Sequence, residues 1–254
     1  MAIEARTRLR SPHAQAIDLP PGFRLVTLRE VGDAFSHAQR VAAEEGAGTL
    51  VFVGRFDLVE FALVLEPDEP LRTARRAHYA GMNALADALA AHAPPEKPIV
   101  IDWPDAIRVD GGLVGGGRLA WPPDANEDDP PAWLVFGASI RTVAMGESES
   151  GLHPLSAALE EEGFDDLQSG GLVASFARHF MLAVDTWQEA GFSSLAGDYI
   201  ARLPKAERGA RRDIEENGDL VVRHAGKSDA ARRALVPALA VPSWLDPATG
   251  GPKL

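Results

Sequence analysis

The segment IVIDWPDAIRVDGGLVGGGRLAW, residues 99–121, is the part of the chain around which the rest is organised. An apolar run at 99–101, an alternating segment at 107–109 and an apolar stretch after the turn signal Asp110-Gly111 predict two or three short strands. Five of the 24 glycines in the chain lie between Gly111 and Gly117. Because glycine has no side chain to pack in a sheet, this concentration indicates a backbone that is approached closely, for example by a ligand.

Strands and two helices are predicted before this segment. Alternating or continuous apolar residues predict strands at Leu25–Val31, Thr49–Val53 and Leu58–Leu65, the last two joined as a hairpin. Asp33 is a suitable N-cap for a helix that runs to about residue 45. Apolar residues at spacings of three or four predict one long helix from about Leu71 to Ala93.

Helices and a small β unit are predicted after the segment. Ala132–Ile140 has the composition of a buried strand, and an apolar stripe from Leu172 to Trp187 has the period of a helix. Lys205–Arg212 is polar and basic, as in a linker, and Asn217-Gly218 is a hairpin turn signal. The prolines within Val236–Leu245 favour an extended piece.

Adjacent strands that are joined by tight turns pair antiparallel, so the order of elements predicts an α+β fold rather than a doubly wound one. We expect a mixed, largely antiparallel sheet with packed helices, followed by a small β-containing C-terminal domain. The predicted organisation is an irregular N-terminal arm at 1–22, a core at 23–203 and a small C-terminal domain at 211–254.

The composition limits the classes of protein to consider. A chain of 254 residues with 46% hydrophobic residues can bury a large core. A net charge of −12 repels phosphate backbones, so nucleic acid is not an expected partner. There is no apolar run near the length of a membrane span and no apolar segment of a secretory signal, so no membrane association is expected. The absence of cysteine excludes disulfides, and we expect a cytoplasmic protein.

Several common site motifs are absent or lack their structural context. No lysine follows the glycines as a Walker phosphate loop requires, and there is no G-x-S-x-G elbow. Gly115-x-Gly117-x-x-Ala120 matches a dinucleotide fingerprint, but Trp121-Pro122-Pro123 follows it where a helix is needed. The seven histidines are scattered without an H-x-x-x-H or H-E-x-x-H pair, so no metal site is predicted.

Trp103-Pro104-Asp105 and its surroundings resemble the catalytic domain of the biotin/lipoate A/B protein ligase family. In that family a Trp-Pro-Asn-Asp segment and a following Lys-x-x-Gly strand line the site for biotin and ATP. Gly48–Pro70 stands in the place of the family's ligand-loop hairpin, and Trp133–Ile140 resembles a further strand. The Asn-Gly-Asp-Leu-Val-Val sequence at 217–222 resembles the small β-domain of biotin ligases, so the similarity covers most of residues 25–225.

This resemblance implies a site for ATP and Mg²⁺, with biotin or lipoate as substrate. Asp105 would hold Mg²⁺ or the ribose side, Arg55 and Arg118 would hold the phosphates, and the glycine-rich strand would hold the adenylate. The implied partners are a small carboxylic acid, a biotinyl or lipoyl acceptor domain and a second copy of the chain in a homodimer. No catalytic residue is assigned, and the candidate ligand-binding residues are Arg55, Trp103, Pro104, Asp105, Gly112, Gly115, Gly116, Gly117 and Arg118.

Three departures from the family pattern concern charges that adenylation needs. The family's Asn-Asp pair is Asp105-Ala106 here, and its arginine-rich loop is reduced to Gly54-Arg55. The lysine expected near Gly112 or Leu113 is missing, and no lysine occurs between residues 97 and 205. Joining an acid to ATP brings anionic oxygens together, and loss of one preorganised donor costs about a hundredfold or more in rate.

Three functions remain open. The first is a divergent ligase that activates a small acid with ATP and transfers it to a protein lysine, with Arg118 replacing the missing lysine from five or six residues further along. The second is a ligase-like protein that binds a small acid or an acceptor domain without adenylation, which the missing lysine and the shortened loop favour. The third is an octanoyl or lipoyl transferase, which the missing lysine also disfavours.

Overall fold

A computed structural model describes residues 17–30, 32–144, 155–165 and 167–254, so most of the arm expected at 1–22 lies outside the described residues. The boundaries expected for the arm, the core and the C-terminal domain stay predictions. The strands are β1 (Arg24–Leu28), β2 (Thr49–Gly54), β3 (Leu58–Leu65), β4 (Ile99–Asp102), β5 (Ala106–Val109), β6 (Gly112–Ala120), β7 (Leu134–Arg141), β8 (Ala210–Ile214), β9 (Leu220–His224) and β10 (Ala230–Arg233). The helices are α1 (Ala34–Glu45), α2 (Leu71–Ala74), α3 (Ala77–Ala90), α4 (Ser169–Ala190), α5 (Phe192–Ala201) and α6 (Leu235–Ala240). Within the described ranges, none of these helices has the length and apolar character needed to cross a bilayer.

The strands form two sheets. The larger sheet has seven strands in the order β1-β2-β3-β7-β6-β5-β4, in which β1 and β2 are parallel and every other neighbouring pair is antiparallel. β8, β9 and β10 form a smaller antiparallel sheet, and Asn217-Gly218 lies in the turn between its first two strands. The prediction of an α+β fold with a mixed, largely antiparallel sheet and a small C-terminal β unit is confirmed.

Helices cover both faces of the large sheet. On one face, α1 packs its buried residues Ala34 and Ala42 against β2 and β3. On the other face lie α3 and α4, and the rings of Phe136 in β7 and Phe176 in α4 stack at 5.7 Å. Because side chains alternate along a strand, a strand covered on both faces is apolar at nearly every position, as Leu58–Leu65 is.

The prediction of a single long helix from Leu71 to Ala93 is wrong, because the helix is interrupted between α2 and α3. At the break, the amide of Arg76 bonds the carbonyl three residues back, which tightens the turn. Arg75 and Arg76 form ion pairs there with Glu127 and Glu69 respectively. These partners lie outside the helix, so the helical period alone does not reveal the break.

Two expectations near the C-terminal end are also wrong. The linker expected at Lys205–Arg212 includes the start of β8 at Ala210. The extended piece expected at Val236–Leu245 begins within α6, which runs from Leu235 to Ala240. Pro237 is compatible with this helix because the first turn contains amides that have no intrahelical partner.

Candidate functional site

The turn between β4 and β5 is anchored to the helices. Trp103-Pro104 is a cis peptide unit, and the carbonyl of Pro104 accepts hydrogen bonds from Nε2 of His78 (3.0 Å) and from the hydroxyl of Tyr199 (2.8 Å). Burial lowers the pKa of His78 to about 4, so its ring stays neutral. The indole N–H of Trp103 donates to the hydroxyl of Tyr79 at 3.3 Å, which places this ring on the side of α3.

Protein atoms closely approach the glycines of β6. A Cβ atom at four of them would lie within 2.6 Å of a neighbouring atom. These neighbours are the Ala157 side chain at Gly112 (2.5 Å), the Ser139 carbonyl at Gly115 (1.9 Å), the Asp105 carbonyl at Gly116 (2.0 Å) and the Met82 sulfur at Gly117 (2.6 Å). Gly115 also has a φ of +151°, which side chains rarely adopt. At these positions the chain itself makes the close approach that the glycine content indicates.

Residues 241–254, here called the C-terminal strap, cross β6. Trp244 is fully buried, its Nε1 donates to the carbonyl of Gly117 at 3.0 Å, and a Cβ atom at Gly116 would lie 2.4 Å from its Cδ1. The strap closes on itself through a 2.8 Å hydrogen bond from the amide of Lys253 to the carbonyl of Trp244. An indole ring therefore covers the face of β6 to which Gly116 belongs.

Asp105 fastens the strap to the sheet. Its side chain is fully buried, and the carboxylate accepts hydrogen bonds from the amide (3.0 Å) and the hydroxyl (2.6 Å) of Ser243. Burial raises the pKa of Asp105 to about 6, against the opposing effect of these two hydrogen bonds. Both carboxylate oxygens are engaged, so the group holds the strap rather than facing an open cavity.

Arg118 follows two positions after Gly116 and points to the same face of β6, because side chains alternate along a strand. Its side chain is 15% exposed, and its guanidinium carbon lies 4.1 Å from the centre of the Phe35 ring. The nearest acid is Asp33, at 3.6 Å, which is longer than a hydrogen-bonded ion pair. Nε of Arg118 is buried and has no hydrogen-bond partner among the described residues. Burial lowers the pKa of Arg118, although arginine remains charged in proteins.

Two carboxyl groups lie near this guanidinium. Glu60 of β3 is buried and accepts a 2.7 Å hydrogen bond from the amide of Ala34, while burial raises the pKa of Glu60. The charges of Arg118 and Arg55 both oppose that rise. Arg55 itself pairs with Asp57 at 3.0 Å, and its link to this group is the effect of its charge on Glu60.

A cavity of about 380 Å³ opens beside Arg118. Arg118 is the charged residue among its lining residues, and the other lining residues are Phe35, Leu119, Ala120, Trp121, Val236, Leu239, Ala240, Pro242 and Leu245. Its volume lies within the range of small-molecule pockets. A single cation in apolar walls suits a molecule that carries one anionic group on an apolar body.

The structure brings only part of the sequence-predicted set together. Asp105, Gly116 and Arg118 share one face of the sheet, where the strap lies between the carboxylate and the cavity. Of the two positions near which the lysine was expected, Leu113 is buried in a small cluster with Trp244. The other candidates lie elsewhere: Trp103 and Pro104 on the helix side, Arg55 in its own ion pair, and Gly112, Gly115 and Gly117 beneath neighbouring residues.

Several residues on the face of the sheet that carries Arg118 were not predicted as site residues from the sequence. Glu60 had a usable signal, because it is the one charged residue in the apolar run LVEFALVL. Asp33 was predicted only as an N-cap, which is confirmed by its bond from the amide of Ser36. Ser243 and Trp244 carried no signal, because the segment around them has neither helical nor strand periodicity.

The fold and the family are shared with known proteins. The model of the biotin/lipoate A/B protein ligase family matches residues 19–201, more than half of the chain. A biotin protein ligase-like protein of unknown function from Silicibacter sp. TM1040 has 26% identity and a TM-score of 0.75, with 89% of this chain and 100% of that chain covered. No curated protein sequence matches the chain.

Biotin protein ligase from Aquifex aeolicus also shares the fold. It has 14% identity and a TM-score of 0.62, with 84% of this chain and 99% of that chain covered. The same enzyme in complex with biotin and ATP aligns with 14% identity and a TM-score of 0.58, with coverage of 83% and 98%. The chain belongs to the biotin/lipoate A/B protein ligase family.

Proposed function

We propose that this protein binds a small carboxylic acid of the biotin or lipoate type, with the carboxylate on Arg118 and the apolar body in the adjoining cavity. The observation that carries the proposal is the state of the Arg118 side chain. It is charged and largely buried, its Nε has no partner among the described residues, and it lines an otherwise apolar cavity of about 380 Å³.

A carboxylate is the natural partner for this guanidinium. Arginine binds carboxylates through two parallel hydrogen bonds, and a buried N–H without a partner costs about 1–3 kcal/mol. Asp33 lies 3.6 Å away, so it does not occupy these donors with a close hydrogen bond. The ring of Phe35 and the side chains of Leu239 and Leu245 would pack against the apolar part of the acid.

The kinship with biotin ligases supports the choice of acid. An R40G mutant of the Aquifex aeolicus enzyme has been solved in complex with biotin, and the enzyme has been solved in complex with biotin and ATP. Biotin and lipoate each combine one carboxylate with an apolar chain, which matches one arginine in apolar walls. An octanoyl chain has the same character and belongs to the same test.

The residues present do not fit an adenylate on β6. Gly112 and Leu113 stand where the family lysine was expected, and the indole of Trp244 covers Gly116. Both oxygens of Asp105 accept from Ser243, and no group of three or more potential metal ligands occurs in the described part of the chain. We therefore derive no step through ATP or Mg²⁺ and propose acid binding without adenylation.

Calorimetric titration of the full chain with biotin, lipoate and octanoate, each with and without ATP, tests the proposal. We expect one of these acids to bind without ATP, and Arg118→Gln to weaken it by about 10–100-fold, from a charge-assisted hydrogen bond of about 1.5–3 kcal/mol. Arg118→Lys keeps the charge and should retain part of the affinity. Arg40→Gln removes an exposed arginine of α1 and should leave binding unchanged.

Two outcomes would contradict the proposal. If none of the three acids binds to the unmodified protein, acid recognition at Arg118 is refuted. If an acid supports exchange of label between pyrophosphate and ATP, the protein adenylates after all and the ligase hypothesis replaces this one.

A further inference from the structure

A second cavity lies where the small sheet meets the end of β4. Its volume is about 350 Å³. Asp102, Trp103, Leu203, Pro204 and Glu207 line it from the core and the following loop, whereas Ala210, Arg212, Leu220, Val222, His224, Ala231 and Arg233 line it from the sheet. It shares no lining residue with the cavity beside Arg118.

Strand register places three nitrogen-bearing side chains on the cavity face of the small sheet. Arg212 pairs with Val222, and Val222 pairs on its other side with Ala231. Because alternate residues share a face, His224 and Arg233 point the same way as Arg212. These three side chains surround the apolar patch made by Val222.

The acidic residues that line this cavity do not fully balance the charges of its arginines. No carboxylate lies within ion-pair distance of Arg212, His224 or Arg233 in the part of the chain that the structure describes. Among the described residues, the acceptor of Arg212 is the carbonyl of Pro204. Of the two acids in the lining, Asp102 is neutralised by Arg108, which leaves Glu207. The cavity is therefore positive although the whole chain carries a charge of −12.

From this arrangement we infer that the cavity binds a small phosphate-bearing molecule. Two guanidinium groups with free N–H donors match the several acceptor oxygens of a phosphate, which arginine binds in bidentate fashion. His224 can add a further ring N–H donor. Leu203, Trp103 and Val222 offer apolar surface to whatever the phosphate is attached to. The small β unit then contributes a ligand site of its own to the fold.

The two faces of the small sheet supply a matched control. Arg211 and Arg223 face each other on the side away from the cavity, where both are exposed. A variant that carries Arg212→Gln and Arg233→Gln loses the same charge as one that carries Arg211→Gln and Arg223→Gln. Only the first pair removes donors from the cavity, so nonspecific attraction and specific recognition give different results.

Calorimetry at constant ionic strength with inorganic phosphate, pyrophosphate, adenosine monophosphate and citrate tests the inference. We expect a phosphate-bearing probe to bind more tightly than citrate, and the cavity pair of substitutions to weaken it about tenfold or more. The outer pair should leave affinity within about twofold, and Glu207→Gln should increase it by removing the opposing charge. Stronger binding of adenosine monophosphate than of inorganic phosphate would identify an organic phosphate as the ligand.

Three results would overturn the inference. They are failure of every phosphate probe to bind, equal binding of citrate, and equal loss of affinity in the cavity and outer variants. Urea unfolding followed by far-ultraviolet circular dichroism establishes that each variant is folded and as stable as the unmodified protein when binding is measured.

Discussion

Replacing Trp244 by alanine should strongly destabilise the protein. The indole is fully buried between the strap and β6, and its Nε1 holds the carbonyl of Gly117. Removing a buried aromatic side chain costs about 3–5 kcal/mol through lost transfer energy and the cavity left behind. The hydrogen bond accounts for about 1 kcal/mol of that. A domain is stable by about 5–15 kcal/mol, so the variant would lose a substantial part of its stability.

Urea unfolding followed by far-ultraviolet circular dichroism measures this loss without relying on the fluorescence of the missing ring. Trp244→Phe keeps most of the packing but leaves the carbonyl of Gly117 without its donor, so we expect a smaller loss of about 1–3 kcal/mol. Leu254→Ala removes a strap side chain that is 71% exposed and should change stability little. A loss below about 1 kcal/mol for Trp244→Ala would refute the reasoning that the strap is packed on the sheet.

Three further predictions concern the same face and its supports. Burial raises the pKa of Asp105 to about 6, so its contribution to stability is fully present below about pH 4 and is lost as pH rises to 6. Relative to Asp105→Asn, the wild type should lose about 2–3 kcal/mol over that range in urea unfolding. Leu113→Lys should gain no ATP–pyrophosphate exchange, because Trp244 still covers the strand, and an exchange signal would contradict this. Tyr199→Phe removes one of two donors to the carbonyl of Pro104 and should lower the unfolding free energy by about 1 kcal/mol, whereas an unchanged value would exclude that role.

Much of the fold could be predicted because its signals are local. The strands of residues 99–121 follow from apolar runs and a turn signal, and Asn217-Gly218 fixes a two-strand unit. The break between α2 and α3 could not be predicted in this way. It depends on Arg75 reaching Glu127, 52 residues away, which no periodicity within the helix records.

The candidate site was harder to predict, because a glycine in a sequence does not identify the group that lies against it. The glycines of β6 signalled close approach, but the sequence did not show whether a ligand or the chain itself makes it. At Gly116 the neighbours are the Asp105 carbonyl and Trp244, and the indole of Trp244 bonds a carbonyl 127 residues away in the chain. Arg118 was chosen because arginine could replace the missing lysine, and the alternation of side chains along β6 alone did not show which face it would take.

The position of Trp244 has a consequence for synthesis on the ribosome. Gly117 is made 127 residues before the ring that covers it, which corresponds to about 6–25 s at ordinary rates of translation. A sheet that formed before Trp244 was made would lack the ring above Gly116 and the donor to the carbonyl of Gly117. Packing on this face of the sheet is therefore completed only after Trp244 has been made.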